Sequence, residues 1–476
     1  MIKRDKIVEE LRKILSKDQV IDDEYIIKLY ARDAVYLEGN ALAIVFPEKT
    51  EDVSKIVRFA YRNDIKIYPQ GSASEIVGSS IPRDDGIIVN FSRMNRIKEY
   101  NIVDMYTVVE PGVRIIELNT VLAKEGYVFP IDPASVKTAT IGGAINTGAG
   151  GMMGLRYGTM KDAVLGLEIV LPDENGTILK LGGKVTKYRV GYDLIRLIIG
   201  SEGTLALVTE ATLRIVPLPR HIVSVAGFFP KLEDLVRTVI DLKKNRYNLY
   251  IAEFVDAQTV EIVTKYISSK IVGSGNLLIV SIDLTDETSV DNMLNSLEEI
   301  MRANNASIIY KARSLREAEE LGLFDIRRAY YPTTIRMAAE SRRDATKRIF
   351  VYIEDYSVPP SRLVEYITRL RELASKYNVN VMLGGHIGDG NIHPVIWYEE
   401  GDRDAEERIH KFLHDLAILT LELEGTVSSE HGIGIKKKKE FMMELEYKQS
   451  TKALELMKKI KQIFDPKNIL NPGKIW

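Results

Sequence analysis

A chain of 476 residues is too long for one small hydrophobic core and indicates two or three domains. Its formal net charge of −2 gives no electrostatic support for nucleic-acid binding. The sequence has no cysteine, which excludes disulfides, thiol nucleophiles, thiolate metal sites and iron–sulfur clusters, so redox chemistry would need an organic cofactor or a metal held by oxygen and nitrogen.

The sequence also bears on where the protein works. No apolar run reaches the length of a membrane span, and the opening residues, MIKRDKI, do not resemble a signal peptide. We therefore expect a cytoplasmic protein without a transmembrane segment, and leave open a peripheral contact at the inner membrane surface. Four consecutive lysines, Lys436–Lys439, predict a solvated turn rather than a membrane-binding patch.

The first half of the chain reads as short strands separated by helices and small-residue turns. An amphipathic helix and a short helix are predicted within residues 1–35. Strands follow at Ala41–Pro47, Ile65–Pro69, Gly86–Asn90, Met105–Val109, Val164–Leu171 and Ala211–Val216, with helices at Thr50–Asn63 and Ile115–Glu125. No dinucleotide fingerprint or P-loop motif is present, so we expect a sheet-rich domain that holds its ligand by several separate loops.

Glycines are concentrated in Thr140–Gly151, TIGGAINTGAGG, which has five in twelve residues. Residues without a Cβ let backbone N–H groups approach a ligand and form a concavity suited to phosphate. The alternative is a flexible linker, but the run lacks charge and serine, and its Ile141, Ala144 and Ile145 predict burial. We therefore interpret the run as a ligand-lining loop. The turn at Pro69–Ser74 is a weaker candidate of the same kind.

After residue 219 strands alternate with longer helices. Strands are predicted at Ile222–Phe228, Tyr250–Phe254, Asn276–Ile282, Ser307–Tyr310, Ile349–Glu354 and Asn380–Leu383. One helix is predicted to follow the first strand and end near Asn245, and further helices are predicted at Ser289–Ala303, Ser361–Tyr377, Asp404–Glu424 and Ser450–Phe464. Repeated β–α–β units with an antiparallel return predict an α+β sandwich of ferredoxin-like type.

Two histidines flank an Asp-Gly pair in His386–Pro394, HIGDGNIHP. Asp-Gly favours a two-residue hairpin turn, which would place His386 opposite His393 on one face of a sheet. Two adjacent imidazoles could bind one metal ion, although each could instead be a core histidine bonded to backbone.

A third metal ligand is predicted within Ser428–Gly434, SSEHGIG, which contains Glu430 and His431. Neighbouring side chains on an extended segment point in opposite directions, so that one of these two can bind metal while the other acts as a general base. Arg327 and Arg328, in the helical stretch Leu321–Tyr331, are either a clamp for a substrate carboxylate or a solvated pair.

Together these segments resemble the FAD-linked oxidase family of vanillyl-alcohol-oxidase-type flavoproteins, which includes D-lactate dehydrogenases, the FAD subunit of glycolate oxidase and D-2-hydroxyglutarate dehydrogenase. The resemblance extends from Arg32-Asp33 to the terminal FDPKNILNPGK. It implies an α+β fold with a two-part FAD-binding domain of the PCMH type at 1–218, a substrate (cap) domain at 219–440 and a terminal segment, 441–476, that returns to the flavin site.

Site residues are carried over by matching motif positions. The FAD-binding residues implied are Pro69, Gln70, Gly71, Ser72, Ala73, Ser74, Gly78, Asp132, Pro133, Ser135, Thr140, Gly142, Gly143, Asn146, Gly148, Gly150, Gly151, Glu202, Gly203, Val208 and Asn471. The implied metal ligands are His386, His393 and Glu430, for a divalent ion such as zinc or manganese. His431 would take the substrate hydroxyl proton and Arg327 would hold the carboxylate, while a hydride passes from C2 of a D-2-hydroxy acid to the flavin.

Three departures from the family pattern narrow these expectations. Gln70 stands where the family has arginine, so one cation near the phosphates is missing. Ile353-Glu354 and Val395 stand where some dicarboxylate-oxidising relatives have lysine and asparagine, so a second substrate carboxylate would lack partners. A small monocarboxylate, D-lactate first, is therefore favoured over 2-hydroxyglutarate, with glycolate as an alternative.

The sequence and the resemblance also bear on the cofactor and the partners. With no cysteine and no histidine before His221, the FAD is expected to be non-covalent. Its electrons would pass to an external acceptor: a quinone, a cytochrome, an electron-transfer flavoprotein or an iron–sulfur subunit. A homodimer, a non-redox role like that of alkyl-glycerone-phosphate synthase and a purely structural flavin subunit stay open.

Overall fold

The computed structural model describes residues 4–35, 37–83 and 85–476, and divides the chain into two compact units. The first unit comprises the residues up to Gly151, Tyr157–Leu218 and Glu430–Trp476, and the second comprises Met152–Arg156 and Pro219–Ser429. The sequence-based division assigned residues 430–440 to the cap, whereas in the structure they pack with the first unit, because the N–H groups of Ile433 and Gly434 donate to Glu202.

The described part of the first 218 residues is built from short elements. Its strands are β1 (Val20–Ile21), β2 (Ala43–Val45), β3 (Lys66–Gln70), β4 (Gly86–Asn90), β5 (Ile97–Asn101), β6 (Tyr106–Val109), β7 (Tyr127–Val128), β8 (Val164–Val170), β9 (Ile178–Gly182), β10 (Leu207–Arg214) and β11 (Val216–Pro217). Its helices are α1 (Arg4–Ile14), α2 (Glu24–Tyr30), α3 (Thr50–Asn63), α4 (Ile115–Leu122), α5 (Ile141–Thr147), α6 (Gly154–Tyr157), α7 (Met160–Ala163) and α8 (Leu194–Ile198).

Residues 219–476 contain longer elements. The strands are β12 (His221–Phe229), β13 (Leu249–Val255), β14 (Asn276–Leu284), β15 (Ile308–Ala312), β16 (Ile349–Ile353), β17 (Tyr356–Ser357), β18 (Met382–His386) and β19 (Asn391–Glu399). The helices are α9 (Leu232–Lys244), α10 (Ala257–Tyr266), α11 (Val290–Ala303), α12 (Leu315–Glu320), α13 (Asp325–Glu340), α14 (Leu363–Lys376), α15 (Arg403–Glu422), α16 (Lys438–Tyr447) and α17 (Thr451–Phe464).

The first unit contains two larger sheets. A four-stranded sheet has the order β1-β2-β4-β3, in which β2 and β3 run parallel to β4, and a five-stranded antiparallel sheet has the order β5-β6-β10-β8-β9. Helix α3 has the predicted bounds, because Val53, Ile56, Val57 and Ala60 form one buried face. The left-handed φ of Asp64, 53°, ends it.

The carboxy-terminal segment pairs with β3. The N–H of Ile67 donates to the carbonyl of Ile469, and the N–H of Asn471 donates to the carbonyl of Ile67, both at 2.7 Å. The buried ammonium of Lys461 donates to the carbonyls of Thr204 (2.8 Å) and Leu470 (2.7 Å). These bonds fix the end of the chain within the first unit.

The lysine run Lys436–Lys439 is not the solvated turn that the sequence predicted. Lys437 is buried, and the ammonium of Lys438, at the start of α16, donates to the carbonyl of Trp476 at 2.9 Å. The prediction was wrong because the pattern of charges does not reveal that the end of the chain supplies a carbonyl here.

The second unit contains one antiparallel sheet with the order β15-β12-β14-β13-β18-β19-β16, and β17 also pairs with β19. Strand β14 lies between β12 and β13, which is the split β–α–β arrangement of ferredoxin-like folds and confirms the predicted class. The sheet continues past β13 into the β18–β19 hairpin, and this extension carries the two predicted metal histidines.

No helix within the described residues is long and apolar enough to cross a membrane.

Candidate functional site

Within the glycine run of the first unit, Ile141–Thr147 form a short helix, whereas Gly148–Gly151 lie outside any helix. Thr140 caps the helix, because its side chain accepts from the N–H of Gly143, and α5 then extends to Thr147. A Cβ on Gly142 would lie 2.7 Å from Pro111 Cβ, so glycine allows the helix to pack against that turn. The loop predicted for Ile141–Thr147 was wrong, because Gly142 serves close packing against a neighbouring segment. That the run lines a ligand stays a prediction.

The end of the glycine run approaches the segment that contains the predicted base. A Cβ on Gly150 would lie 2.7 Å from Oε1 of Glu430, so the glycine leaves room for this carboxylate. Gly151 likewise meets the backbone of Asp132, at the start of the turn in which the Val136 N–H donates to the Pro133 carbonyl at 2.8 Å. Ser135 begins the next turn, where its carbonyl accepts from the N–H of Ala139.

The turn after β3 meets the cap of α5. A Cβ on Gly71 would lie 2.1 Å from Thr140 Oγ1. Ala73 has a positive φ of 51°, and the hydroxyls of Ser72 and Ser74 are 3.3 Å apart. Gly78 lies against the side chain of Ile435.

The side chain of Gln70 is used within the protein. Its Nε2 donates to the Tyr30 carbonyl at 2.7 Å, and its Oε1 accepts from Asn90 Nδ2 at 3.0 Å. These two bonds connect the end of β3 to Tyr30 and Asn90.

Glu202 connects several of the predicted segments. Its carboxylate accepts from the N–H groups of Ile433 (2.6 Å) and Gly434 (2.9 Å), its N–H donates to the Asn146 carbonyl (2.7 Å), and its carbonyl accepts from Asn471 Nδ2 (2.6 Å). Burial raises the pKa of Glu202 to about 7 despite the hydrogen bonds from Gly434 and Ile433. Its carboxylate thus positions the chain just after His431.

The side chains around Glu202 leave polar atoms unsatisfied. Asn146 Oδ1, Ser201 Oγ and Asn471 Oδ1 are buried and have no hydrogen-bond partner among the described residues. Buried polar atoms are normally paired, so this cluster is typical of a site that binds a polar ligand. Sequence reasoning missed Ser201. Gly203 packs against Pro69 and Asn146, and Val208 lies in β10 with its side chain in the core of the first unit.

In the second unit His386 and His393 share one face of the β18–β19 hairpin, and their ring centroids are 5.2 Å apart. The predicted register was wrong: His386 pairs with Asn391 and Gly384 pairs with His393, so the histidines are diagonal neighbours across a four-residue loop. A two-residue type I′ turn needs positive φ at both central positions, and of Asp389 and Gly390 only Gly390 has one, 91°.

Each histidine is held through its Nδ1 atom. Nδ1 of His386 lies 2.5 Å from Oε1 of Glu253, and Nδ1 of His393 lies 3.2 Å from the carbonyl of Glu354. An acceptor at Nδ1 favours the tautomer that carries the proton there and the lone pair on Nε2. The histidines offer ligand atoms within 4.8 Å of one another, so that two neutral imidazoles could share a metal ion.

Glu253 is a buried residue of β13 that sequence reasoning missed. Its second oxygen, Oε2, accepts from Nε of Arg327 at 2.7 Å. Burial pushes the pKa of Glu253 up, but the neighbouring His386 and Arg327 outweigh burial and hold the pKa below its usual value. The available signal was a single glutamate in an apolar strand, LYIAEFV.

The two arginines of α13 have separate roles. Arg327 is mostly buried, bonds to Glu253 and lies over the ring of Tyr330, whose pKa is raised by burial. Arg328 is half-exposed and forms an ion pair with Glu319. Only Arg327 therefore belongs to the histidine site.

The segment that leads to Glu430 is anchored on Asp355. Oδ2 of this fully buried carboxylate accepts from the N–H of Ser429 at 2.9 Å and from the hydroxyl of Ser428 at 3.2 Å. Glu430 and His431 follow Ser429 directly in the chain and are assigned to the first unit. A ligand atom of Asp355 also lies within 4.8 Å of one of His393.

Two family models match the chain: the FAD binding domain over residues 41–182 and the C-terminal domain of FAD linked oxidases over residues 218–475. The chain is 34% identical over 437 residues to a D-lactate dehydrogenase of Archaeoglobus fulgidus, covering 91% of this chain and 90% of the relative. It is 31% identical over 478 residues to the glycolate oxidase subunit GlcD of Bacillus subtilis, covering 100% of this chain and 97% of the relative.

Solved structures share the fold at low sequence identity. A substrate-bound p-cresol methylhydroxylase has a TM-score of 0.78 at 16% identity, covering 99% of this chain and 96% of that one. An alkyldihydroxyacetonephosphate synthase has a TM-score of 0.74 at 18% identity, covering 99% and 85%. With a family model that spans more than half of its length, the chain belongs to the FAD-linked oxidase family.

Proposed function

We propose that the protein is an FAD-dependent D-2-hydroxyacid dehydrogenase that oxidises D-lactate to pyruvate and passes the electrons to an external acceptor. The observation that carries the proposal is the group His386, His393, Glu253 and Arg327, which combines two oriented imidazoles with a buried arginine. Relatives named D-lactate dehydrogenase, including a plant enzyme named with cytochrome as acceptor, support both the substrate and the external acceptor.

The first unit offers polar groups that are suited to binding FAD. The unsatisfied atoms of Asn146, Ser201 and Asn471 can bond a polar cofactor. The turn that begins at Pro69 is proposed to bind its phosphates through backbone N–H groups, whereas the N–H groups of Ile141, Gly142 and Gly143 already donate within the protein. When bound, FAD supplies the acceptor for a hydride from C2 of the substrate. We propose a non-covalent cofactor, since cysteine is absent and no histidine precedes His221.

The two histidines of the second unit are suited to binding a divalent metal. His386 and His393 would each contribute Nε2, and Glu430 is proposed as the carboxylate ligand. Two nitrogens and one carboxylate with an open position are typical of catalytic zinc, and manganese is the alternative. Such an ion would polarise the substrate hydroxyl group.

The remaining steps belong to side chains of this protein. Arg327 would bind the substrate carboxylate by a bidentate contact from its terminal nitrogens, because its Nε is directed at Glu253. His431 would remove the hydroxyl proton, and Glu202 would hold the turn that follows it.

Two apolar residues favour a monocarboxylate. Val395 is fully buried in β19 and pairs with Ile353 of β16. Neither side chain can neutralise the second carboxylate of 2-hydroxyglutarate, so we propose lactate first. Glycolate is a second candidate, since GlcD of Bacillus subtilis covers the whole chain.

The test is the visible spectrum of the purified protein, recorded without oxygen before and after adding D-lactate or, separately, L-lactate. We expect the protein to show a flavin spectrum, acid to release the flavin, and D-lactate to bleach its absorbance. A flavin that is bleached by none of D-lactate, L-lactate and glycolate would contradict the proposed activity. A protein that cannot take up FAD would contradict the proposed cofactor.

A further inference from the structure

We infer that Glu253 is a positioning residue that fixes the metal-binding histidine and the substrate-binding arginine together, through one carboxylate. The inference rests on the proposed function, because it takes His386 as a metal ligand and Arg327 as the substrate contact.

The position of Glu253 follows from strand register. Strand β13 pairs with β18 through Phe254 and Gly385 and through Val255 and Gly384. One step further along the same antiparallel register, Glu253 stands opposite His386, and opposed residues share a face of the sheet. The carboxylate therefore meets the imidazole side by side, within rigid backbone on both sides.

Each oxygen of Glu253 serves one partner. Oε1 lies 2.5 Å from His386 Nδ1, and Oε2 lies 2.7 Å from Arg327 Nε. The side chain is completely buried, and Arg327 is 14% exposed. Charge-assisted hydrogen bonds at these distances hold both partners in one orientation.

Stability alone does not account for such a group. Taking a carboxylate and a guanidinium out of water costs several kcal/mol each, and a buried ion pair is often no better than apolar residues of similar volume. The neighbours of Glu253 in β13 are apolar and fully or nearly fully buried, so an apolar residue would suit this position in the strand. The carboxylate is therefore explained by what it orients.

Two functional effects follow from one side chain. The bond at Nδ1 leaves Nε2 of His386 as the ligand atom and fixes the plane of its ring, and such outer partners contribute about 10–100-fold to metal affinity. The bond at Nε directs the terminal nitrogens of Arg327, which sets the geometry for binding a planar carboxylate. The two binding functions are thus coupled through Glu253.

The experiment compares Glu253→Gln with the FAD-loaded wild-type protein. The amide keeps the shape but can accept at only one of its two positions, so we expect Zn²⁺ affinity, measured by competition with a chelator, to fall about 10–100-fold. We also expect KM for D-lactate to rise by about tenfold or more, from the loss of a charge-assisted contact at Arg327. Zn²⁺ competition does not depend on turnover, so a failure of the proposed activity remains distinguishable.

Asp256→Asn is the matched control. Asp256 is a buried carboxylate just after β13, bonded to Arg371 Nε at 2.8 Å, and asparagine retains its capping of α10. This variant should keep both Zn²⁺ affinity and KM within about threefold of the wild type, given that a factor of three is about 0.6 kcal/mol. Glu253→Asp, which keeps the charge with a shorter reach, serves if Glu253→Gln does not fold, and should weaken Zn²⁺ binding in the same direction.

Replacing Glu253 in the His386→Ala variant separates the loss of histidine orientation from general damage to the fold. In His386→Ala, replacing Glu253 should change residual Zn²⁺ affinity by less than about threefold, because the orienting bond no longer exists. Equal losses in both backgrounds would overturn the inference, as would wild-type Zn²⁺ affinity in Glu253→Gln or a wild-type protein that takes up no Zn²⁺.

Discussion

The candidate sites of the two units differ in what they are built from: mainly closely packed backbone in the first unit and ionisable side chains in the second. In the first unit the candidate cofactor site lies where Gly71, Gly142 and Gly203 let the backbone pack closely against neighbouring segments, and where Asn471 donates to the carbonyl of Glu202. In the second unit the two candidate metal-binding histidines lie on paired strands, and they are oriented by Glu253 and by a backbone carbonyl.

This difference predicts different responses to mutation. A site built from backbone is sensitive to added volume and to the anchoring of its segments, whereas a site built from side chains is sensitive to the loss of single atoms that bind or transfer protons. Changes in the first region should therefore affect cofactor occupancy and stability together, and changes in the second should affect chemistry while the flavin stays bound.

The largest effect is expected for His431→Ala, which removes the proposed base. Because His431 is proposed to act on the substrate and not on the cofactor, FAD should remain bound while kcat falls by about 10²–10⁴-fold. Steady-state kinetics with D-lactate and the flavin-to-protein absorbance ratio check this. His410→Ala, at an exposed position of α15, is the control, and normal turnover by His431→Ala would show that the assigned base is wrong.

Lys461→Met tests the anchoring of the carboxy-terminal segment. The change leaves Asp465 buried without its cation and two carbonyls without their donor, so the first unit should lose about 3–5 kcal/mol of stability. Thermal unfolding measures the loss. Lys452→Met, on the exposed side of the same helix, should change the melting temperature little, and equal melting of the two variants would remove the anchoring role.

Gly142→Ala tests the close packing of α5. A Cβ would lie 2.7 Å from Pro111 Cβ, so helix and turn must separate, which costs about 1–3 kcal/mol and should lower FAD occupancy. Gly183→Ala is the control, because a Cβ there meets no atom within 4 Å. Flavin content after gel filtration and the melting temperature are the measurements, and full occupancy in Gly142→Ala would argue against a backbone-built site.

The last variant, Asp33→Asn, should differ from the wild type in how its stability depends on pH. Burial and, to a smaller degree, the nearby Glu75 raise the pKa of Asp33 to about 7. The folded protein therefore holds a proton that the unfolded chain releases above about pH 4, so stability contributed by this group is present at low pH and is lost as the pH rises toward 7.

Asparagine at position 33 can accept the same bonds from Val35 and Leu37 without ionising. The variant should thus be more stable than the wild type at pH 8 and no more stable at pH 4, with the difference appearing as the pH rises from about 4 to about 7. Melting curves across this range give the result. A difference independent of pH would contradict the raised pKa.

Local patterns were sufficient for most of the fold. Alternating and helical periodicities predicted α3 and β4 with the observed bounds, and the order of the strands of the second unit agrees with the ferredoxin-like expectation. They missed β5, with its three exposed central residues, and α10, whose buried face is small. The glycine run was taken as a loop because its close approach to Pro111 depends on a residue about thirty positions earlier.

The histidine site shows where sequence reasoning ends. The spacing of His386 and His393 predicted that they are neighbours, and this is confirmed, although the Asp-Gly pair did not form the expected turn. The contact with Glu253 joins residues 133 positions apart and depends on strand order, which no local pattern encodes.

The most direct measurement is the reaction of FAD-loaded His386→Ala with D-lactate in the absence of oxygen, followed through the visible flavin absorbance beside the wild type. We expect equal flavin occupancy in both proteins. Bleaching of the variant should be slowed by about 100-fold or more, since losing a metal ligand should cost at least as much as losing its outer hydrogen-bond partner, and excess divalent metal should partly restore the rate. Bleaching at the wild-type rate, or loss of FAD from the variant, would contradict the separation of cofactor binding from side-chain chemistry.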